Sequence, residues 1–294
     1  MYLRLGDEIR PQVERTFAEH YRHLAVHVAK ARYEKGVGIT VQGLSIAEPR
    51  PGGKLQPMLA IDELFLACDM TVEEMLSGKP HLQRIVVRRP RLRAIRLADG
   101  RWNVQALVPL PKLSDQSPEL EIDDATLILE DAARHDVAPL ALRGVDIRLT
   151  PIAAAPGGGH VERFQVVGNA TGTPARQLTF SGTAGCRDGT LDVTIELAGL
   201  AISPGLVAAL PRPRPEETAE AQFFGNADAK IRLMRRVPGE PIAWNATGNV
   251  TRGRIDHPLL PLPLTELSMS VVAEPSRLFV EELLGKCGTA DILP

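Results

Sequence analysis

The sequence predicts a mainly β protein, built as a long antiparallel sheet with an N-terminal helix and one or two short helices. Three observations predict it. Apolar and polar residues alternate with period two through most of the chain after residue 23. Pro/Gly-rich joints at 48–57, 109–118, 152–159, 211–217 and 258–263 separate pairs or trios of such runs. Only one stretch of any length, at the N-terminus, carries a helical period.

That stretch places Ile9, Val13 and Phe17 on one stripe of a helix expected to end near Tyr21. Asp7 is its expected cap, with Pro11 near the first turn, where proline is tolerated. Leu24, Val26 and Val28 then face one way and Ala25, His27 and Ala29 the other. Glu34-Lys35-Gly36 turns the chain into Ile39 and Val41; Gly43 breaks the alternation as a bulge would, and Leu44 and Ile46 resume it. Leu59 and Ile61 belong to the next strand. Thr71, Glu74 and Gly78 cap a short helix at both ends.

Residues 79–107 read as a hairpin: an apolar strand to Arg88-Arg89-Pro90, a basic alternating strand, and an Asp99-Gly100 turn before Trp102-Asn103. Later strands are cleaner. Val145, Ile147 and Leu149 alternate with Asp146, Arg148 and Thr150, and Leu191, Val193, Ile195 and Leu197 with Asp192, Thr194 and Glu196. Ile231 and Leu233 follow the same rule, as do Leu267, Met269 and Val271. Ser203-Pro204 opens a second short helix, a cap followed by proline at the first position. Asn-Ala-Thr-Gly occurs twice, at 169–172 and 245–248, each inside a strand-like run. About a dozen amphipathic strands result, in three segments: helix 1–22, strands 23–150 and strands 151–294. Their apolar face must be covered by a second sheet, by closure, or by something that is not protein.

Composition narrows the function classes. A formal net charge of −2 argues against whole-domain attraction to nucleic acid. Cys68, Cys186 and Cys287 are too far apart in sequence for a zinc site or disulfide framework to be readable. No apolar run reaches the ~18 residues of a membrane span, no signal peptide is visible, and the last residues read as a strand cut short, so a fragment of a longer protein is expected.

Candidate chemistry reads as structure throughout. His20, His23 and His27 straddle the expected helix end with no carboxylate or thiol at ligand spacing. A hydrolase hidden in a β-sandwich would have to gather these histidines and nearby acids in one cleft. The adjacent acids Asp62-Glu63, Glu73-Glu74, Asp123-Asp124 and Glu281-Glu282 are expected on opposite strand faces or in solvated turns. Gly157-Gly158-Gly159-His160 lacks the Lys-Ser/Thr ending of a phosphate loop, and Ser181–Gly185 lacks a nucleophile elbow. The arginines at 84, 88, 89, 91, 93, 96 and 101 are expected on the wet face of a sheet, with anionic headgroups as the second reading. Asn169, Asn245 and Asn249 stand in Asn-x-Thr sequons, which say little without a secretory signal. No catalytic, metal or cofactor site is expected.

The order of motifs in 71–107 resembles the N-terminal region of AsmA-like envelope proteins: a capped helix, glycine, a strand ending in Arg-Pro, an arginine-bearing strand, then Asp99-Gly100-Arg101-Trp102-Asn103. Gly36–Pro49, Leu59–Leu64 and Leu278–Gly288 are similar to that family's early hairpin, its following strand and a later strand. The resemblance covers about 1–150 well and the rest loosely. It implies a strongly curved sheet forming an open apolar groove in the periplasm, with an inner-membrane anchor absent from this chain. It also implies a non-enzymatic role in lipid transport and outer-membrane biogenesis. The implied partner is phospholipid or another acyl-chain lipid, with other envelope proteins second; the alternative function is an assembly scaffold using the sheet face or edge. Expected groove-lining residues are Leu24, Val26, Val28, Ile39, Val41, Leu59, Ile61, Val145, Ile147, Leu149, Leu191, Val193, Ile195, Ile231, Leu233, Leu267, Met269 and Val271.

Overall fold

The computed structural model describes residues 2–49, 56–68, 82–109, 111, 117–134, 137–152, 163–172, 174–185, 189–209, 221–237, 240–275 and 277–292. The expected helix at 71–77 and the glycine run at 157–159 lie outside these residues, as do Glu73-Glu74 and Cys186.

One 14-stranded sheet in sequence order, open at both ends, makes up the fold. Helix α1 (Tyr2–His20) precedes β1 (Ala25–Glu34), β2 (Gly38–Ala47), β3 (Pro57–Cys68) and β4 (Leu82–Arg96). A 3-10 turn (Asn103–Leu107) leads to β5 (Glu119–Asp131), β6 (Leu140–Pro151), β7 (Arg163–Gly172), β8 (Gln177–Gly185) and β9 (Leu191–Ile202). Helix α2 (Pro204–Ala209) precedes β10 (Gln222–Arg235), β11 (Ala243–Asp256), β12 (Leu264–Glu274), β13 (Arg277–Cys287) and β14 (Ala290–Ile292). The strands fall where the alternation predicts them. Backbone pairing is unbroken past residue 150, since β6 pairs along its length with β7.

Four expectations are corrected. Helix α1 begins at Tyr2, so Asp7 is not its cap and Pro11 lies in its interior. Leu24 precedes β1. Residues 82–96 form one strand instead of two, because Arg89 takes a left-handed conformation (φ 48°) and the chain passes through Pro90 without turning back. The Asp99-Gly100 turn exists, but its return arm is a single bridge, Arg96 to Trp102. Lastly, β4 pairs with β5 in parallel; every other pairing among the described strands is antiparallel.

Arg89 is one of several mid-strand residues with positive φ. Gly43 (β2), Asp124 (β5), Gly144 (β6), Gly199 (β9), Arg252 (β11) and Glu266 (β12) share that conformation. The paired registers line Gly43, Arg89, Asp124 and Gly144 up across β2 to β6, with Asp62 of β3 between the first two. On β2 the left-handed Gly43 adds one solvent-facing position, and β1 and β3, paired with it in register, show the same spacing without a positive-φ residue of their own: core positions fall three apart instead of two. Val28 and Ala31 are both buried, as are Val41 and Leu44, and Ile61 and Leu64. The residues between them all face away from the core. Asp62 and Glu63 therefore share a face, against the expectation from strict alternation.

At some of these sites an aspartate on the next strand satisfies the displaced amide. The Asp124 N–H donates to Asp146 Oδ1 at 2.9 Å and the Gly199 N–H to Asp228 Oδ1 at 2.6 Å. The second short helix is capped as its sequence predicts: Ser203 Oγ accepts from the Leu206 N–H at 3.2 Å.

The fully buried core sits at the N-terminal end. Ile9, Phe17 and Tyr21 of the α1 segment lie over Val28, Val41, Leu44, Ile46 and Ile61. Leu107 closes the cluster, tied down where the Tyr21 hydroxyl donates to its carbonyl oxygen at 3.2 Å. Burial of the Tyr21 phenol pushes its pKa up.

Candidate functional site

The candidate site is the apolar face of the sheet, built by register. Opposed residues share a face of the sheet. One cross-strand row runs Ala31, Val41, Leu64, Val87, Ile122, Ile147, Gly168, Phe180, Ile195, Ile231, Ala246 and Ala273, one residue per strand from β1 to β12. A second runs Ile39, Leu66, Ile85, Leu120, Leu149, Val166, Gly182, Val193, Leu233 and Trp244. Neither row contains a charged side chain, and the second continues onto β1 as Tyr33. Gly168 is required where it stands: a Cβ there would lie 2.3 Å from the Phe180 ring and 2.4 Å from the Asp146 carbonyl oxygen.

Cover divides this face in two. Of the residues expected to line a groove, Val28, Ile39, Val41 and Ile61 are buried in the core beside α1, with Leu24, Val26 and Leu59 packed against them. Protein covers this end. Val145, Ile147, Leu149, Leu191, Ile195, Ile231, Leu233, Met269 and Val271 are half-buried, and only Val193 and Leu267 are fully buried. Neither helix α1 nor the 3-10 turn reaches them, and α2 has no buried residue. Two hollows of about 490 and 580 Å³ lie on the opposite face, among polar residues such as Asp228, Lys230 and Asn249, and Asp146, Arg148 and Asn169. Both are open to solvent, and the second also borders Val167, Gly168 and Phe180.

That wet face is laced by ion pairs, and they account for the arginine-rich run. Arg89 and Arg91 both reach Asp62, at 3.1 and 3.0 Å. Arg88 bridges Glu63 on β3 (2.5 Å) and Asp123 on β5 (3.9 Å). Arg84 and Arg148 share Glu121. Arg93 makes a two-pronged pair with Glu130 at 2.7 and 2.6 Å, Arg96 meets Asp131, and Arg101 meets Asp99. Every arginine of the run has a carboxylate partner, so the run offers little unpaired positive charge to a headgroup or nucleic acid. Hydrogen bonds from Arg89 and Arg91 hold the Asp62 carboxyl below its ordinary pKa, and bonds from Arg148 and then Arg84 do the same for Glu121. Asp123 moves the other way, raised by burial and then by the Glu121 charge. Missed in the sequence was the charge complementarity of 82–96 with 119–131, a readable signal that these two strands are neighbours.

The histidines do not form a centre. The His20 Nε2–H donates to the Pro109 carbonyl oxygen at 2.8 Å and the ring stacks edge-on against Tyr21, while His27 is exposed on β1. Among the described residues no group of three or more His, Cys, Asp or Glu could hold a metal ion. Ser181 lies inside β8, where the chain makes no strand-to-helix turn. No described helix is long and apolar enough to cross a membrane. No protein-family model matches the chain, and no curated protein matches it either.

Proposed function

We propose that this chain is a non-enzymatic lipid-handling module of a cell envelope, which binds the acyl chains of phospholipid along the apolar sheet face from β5 to β12. One observation carries the reading: two apolar rows run on across the strands well past the point where α1 ceases to cover them. The resemblance of residues 71–107 to AsmA-like proteins points the same way and supplies the envelope setting. Mid-strand bulges bend strands and strengthen their twist, so the left-handed residues of this sheet favour a bent rather than a flat face. An acyl chain laid on such a face gains ~0.8 kcal/mol per buried methylene, and aliphatic side chains of low relief suit a flexible ligand.

The test is native mass spectrometry of the purified chain after incubation with phospholipid vesicles. Retained phospholipid is the expected result. Ile195→Lys with Ile231→Lys, opposed on neighbouring strands, should abolish retention, while Lys230→Gln on the wet face should leave it unchanged. Wild-type protein that retains no lipid would overturn the reading.

A further inference from the structure

Turns between amphipathic strands are ordinarily polar. The turn between β11 and β12 breaks that rule. Its seven residues, His257-Pro258-Leu259-Leu260-Pro261-Leu262-Pro263, include no aspartate, glutamate, lysine or arginine. Leu259 is 83% exposed, Leu262 50% and Leu260 36%. A single exposed leucine is ordinary, whereas three within four residues at the end of a hairpin form a patch that calls for a partner.

The neighbouring connection is of the same kind. Gln222 of β10 opposes Asp256 of β11, so the β9–β10 connection, which includes α2, leaves from the same rim of the sheet. Helix α2 holds Leu206 and Val207, has no charged side chain and has no buried residue. The opposite rim differs. There the β10–β11 turn also exposes Val237 and Ile242, but beside Arg236 and Glu240.

The backbone of the β11–β12 turn is prepared for apolar surroundings. Three of its seven residues are proline and have no N–H. The Leu260 N–H donates to the His257 carbonyl oxygen at 3.0 Å, and the Leu259 N–H donates to His257 Nδ1 at 3.1 Å. Five of the seven positions therefore present no free N–H, and unpaired donors are what make a loop costly to take out of water. The same bond engages the His257 ring, which is the only polar side chain of the turn.

These features select the occupant. A protein partner is held in register by polar pairs around an apolar centre, and this turn has no such pair to give. A lipid surface asks for projecting apolar side chains on a backbone whose donors are already satisfied. We propose that this rim of the sheet docks on a lipid surface, with Leu259 and Leu262 of the β11–β12 turn entering between the headgroups. The turn carries no charge, so docking needs no anionic lipid. It does not depend on what the apolar sheet face binds.

Flotation of the full chain with phosphatidylcholine vesicles tests it. The wild type should float with the vesicles, and to the same extent at low and high salt, because apolar insertion is not screened. Leu259→Ser with Leu262→Ser should weaken binding about tenfold or more. Val237→Ser, on the opposite rim, should leave it unchanged. Ile195→Lys with Ile231→Lys should still float, which separates docking by the rim from acyl-chain binding by the sheet face. Circular dichroism of each variant checks that these outward-facing changes leave the sheet folded. A wild type that stays in the lipid-free fraction overturns the proposal, as does a Leu259/Leu262 variant that floats as well as wild type. Binding that requires anionic lipid and disappears in salt would assign the contact to charge. Self-association of the wild type that the Leu259/Leu262 variant loses, without flotation, would assign the tip to a second copy of the chain; either result sinks the lipid reading of this rim.

Discussion

Asn103 shows what one side chain contributes to this sheet. Strand β3 pairs with β4 only as far as Leu59 opposite Leu92, which leaves the next β4 groups without a backbone partner on that side. Asn103 supplies one. Its Oδ1 accepts from the Ile95 N–H at 2.7 Å and its Nδ2 donates to the Arg93 carbonyl oxygen at 3.1 Å, and the residue is 8% exposed. Buried backbone groups left unpaired cost ~1–3 kcal/mol each. Asn103→Ala should therefore lower unfolding stability by about 2 kcal/mol, measured as a shift in the urea midpoint. Asn103→Asp, which keeps the acceptor and loses the donor, should fall between. A midpoint unchanged in Asn103→Ala would mean that water replaces the amide. The turn before it was legible: Asp99 Oδ1 accepts the Arg101 N–H, the chemistry that an Asp-Gly turn announces. The role of Asn103 was not legible, because it depends on where a different strand stops.

Strands were legible wherever the period held, and were misread where it changed. Val145, Ile147 and Leu149 could be assigned to one face at sight. Residues 82–96 could not, because Pro90 after two arginines reads as a break. In the structure the left-handed Arg89 absorbs the extra residue, and Pro90 stays opposite Ile61. Adjacent like charges turn out to be the signal of such a step. Asp62-Glu63, Arg88-Arg89, Asp123-Asp124 and Glu281-Glu282 each fall where a strand puts two consecutive residues on the wet side or takes an extra one. The parallel pairing of β4 with β5 has no hairpin to fix its register, and the ion pairs along that seam supply a substitute. Exposed pairs are worth little, but the two-pronged Arg93–Glu130 pair is mostly covered, with side chains 29% and 19% exposed. Arg93→Glu should cost about 1–2 kcal/mol, for the lost pair and the new repulsion. Adding Glu130→Arg should recover most of it. If the double variant melts no higher than Arg93→Glu alone, the seam is held by its backbone bonds and not by charge.

Across the whole molecule, stability should be graded along the sheet. Strands β1–β4 share a fully buried core with α1; farther along, full burial among the described residues is confined to scattered positions such as Phe164, Val166, Ala170, Val193 and Leu267. A sheet whose strands contact only their neighbours behaves as a row of coupled units, so each unit opens according to its own burial and that of the next. Native-state hydrogen exchange should find the slowest amides in β2 and β3, between the core face and two full-length partners, and progressively faster exchange from β6 to β13. Acyl-chain lipid on the uncovered face would flatten that gradient, protecting β6–β12 while leaving β2 and β3 as they were, because their apolar side is already filled by protein. Equal protection along the sheet without lipid would show that cover on the apolar face does not set local stability here. A lipid effect confined to β1–β4 would place the ligand at the wrong end of the sheet.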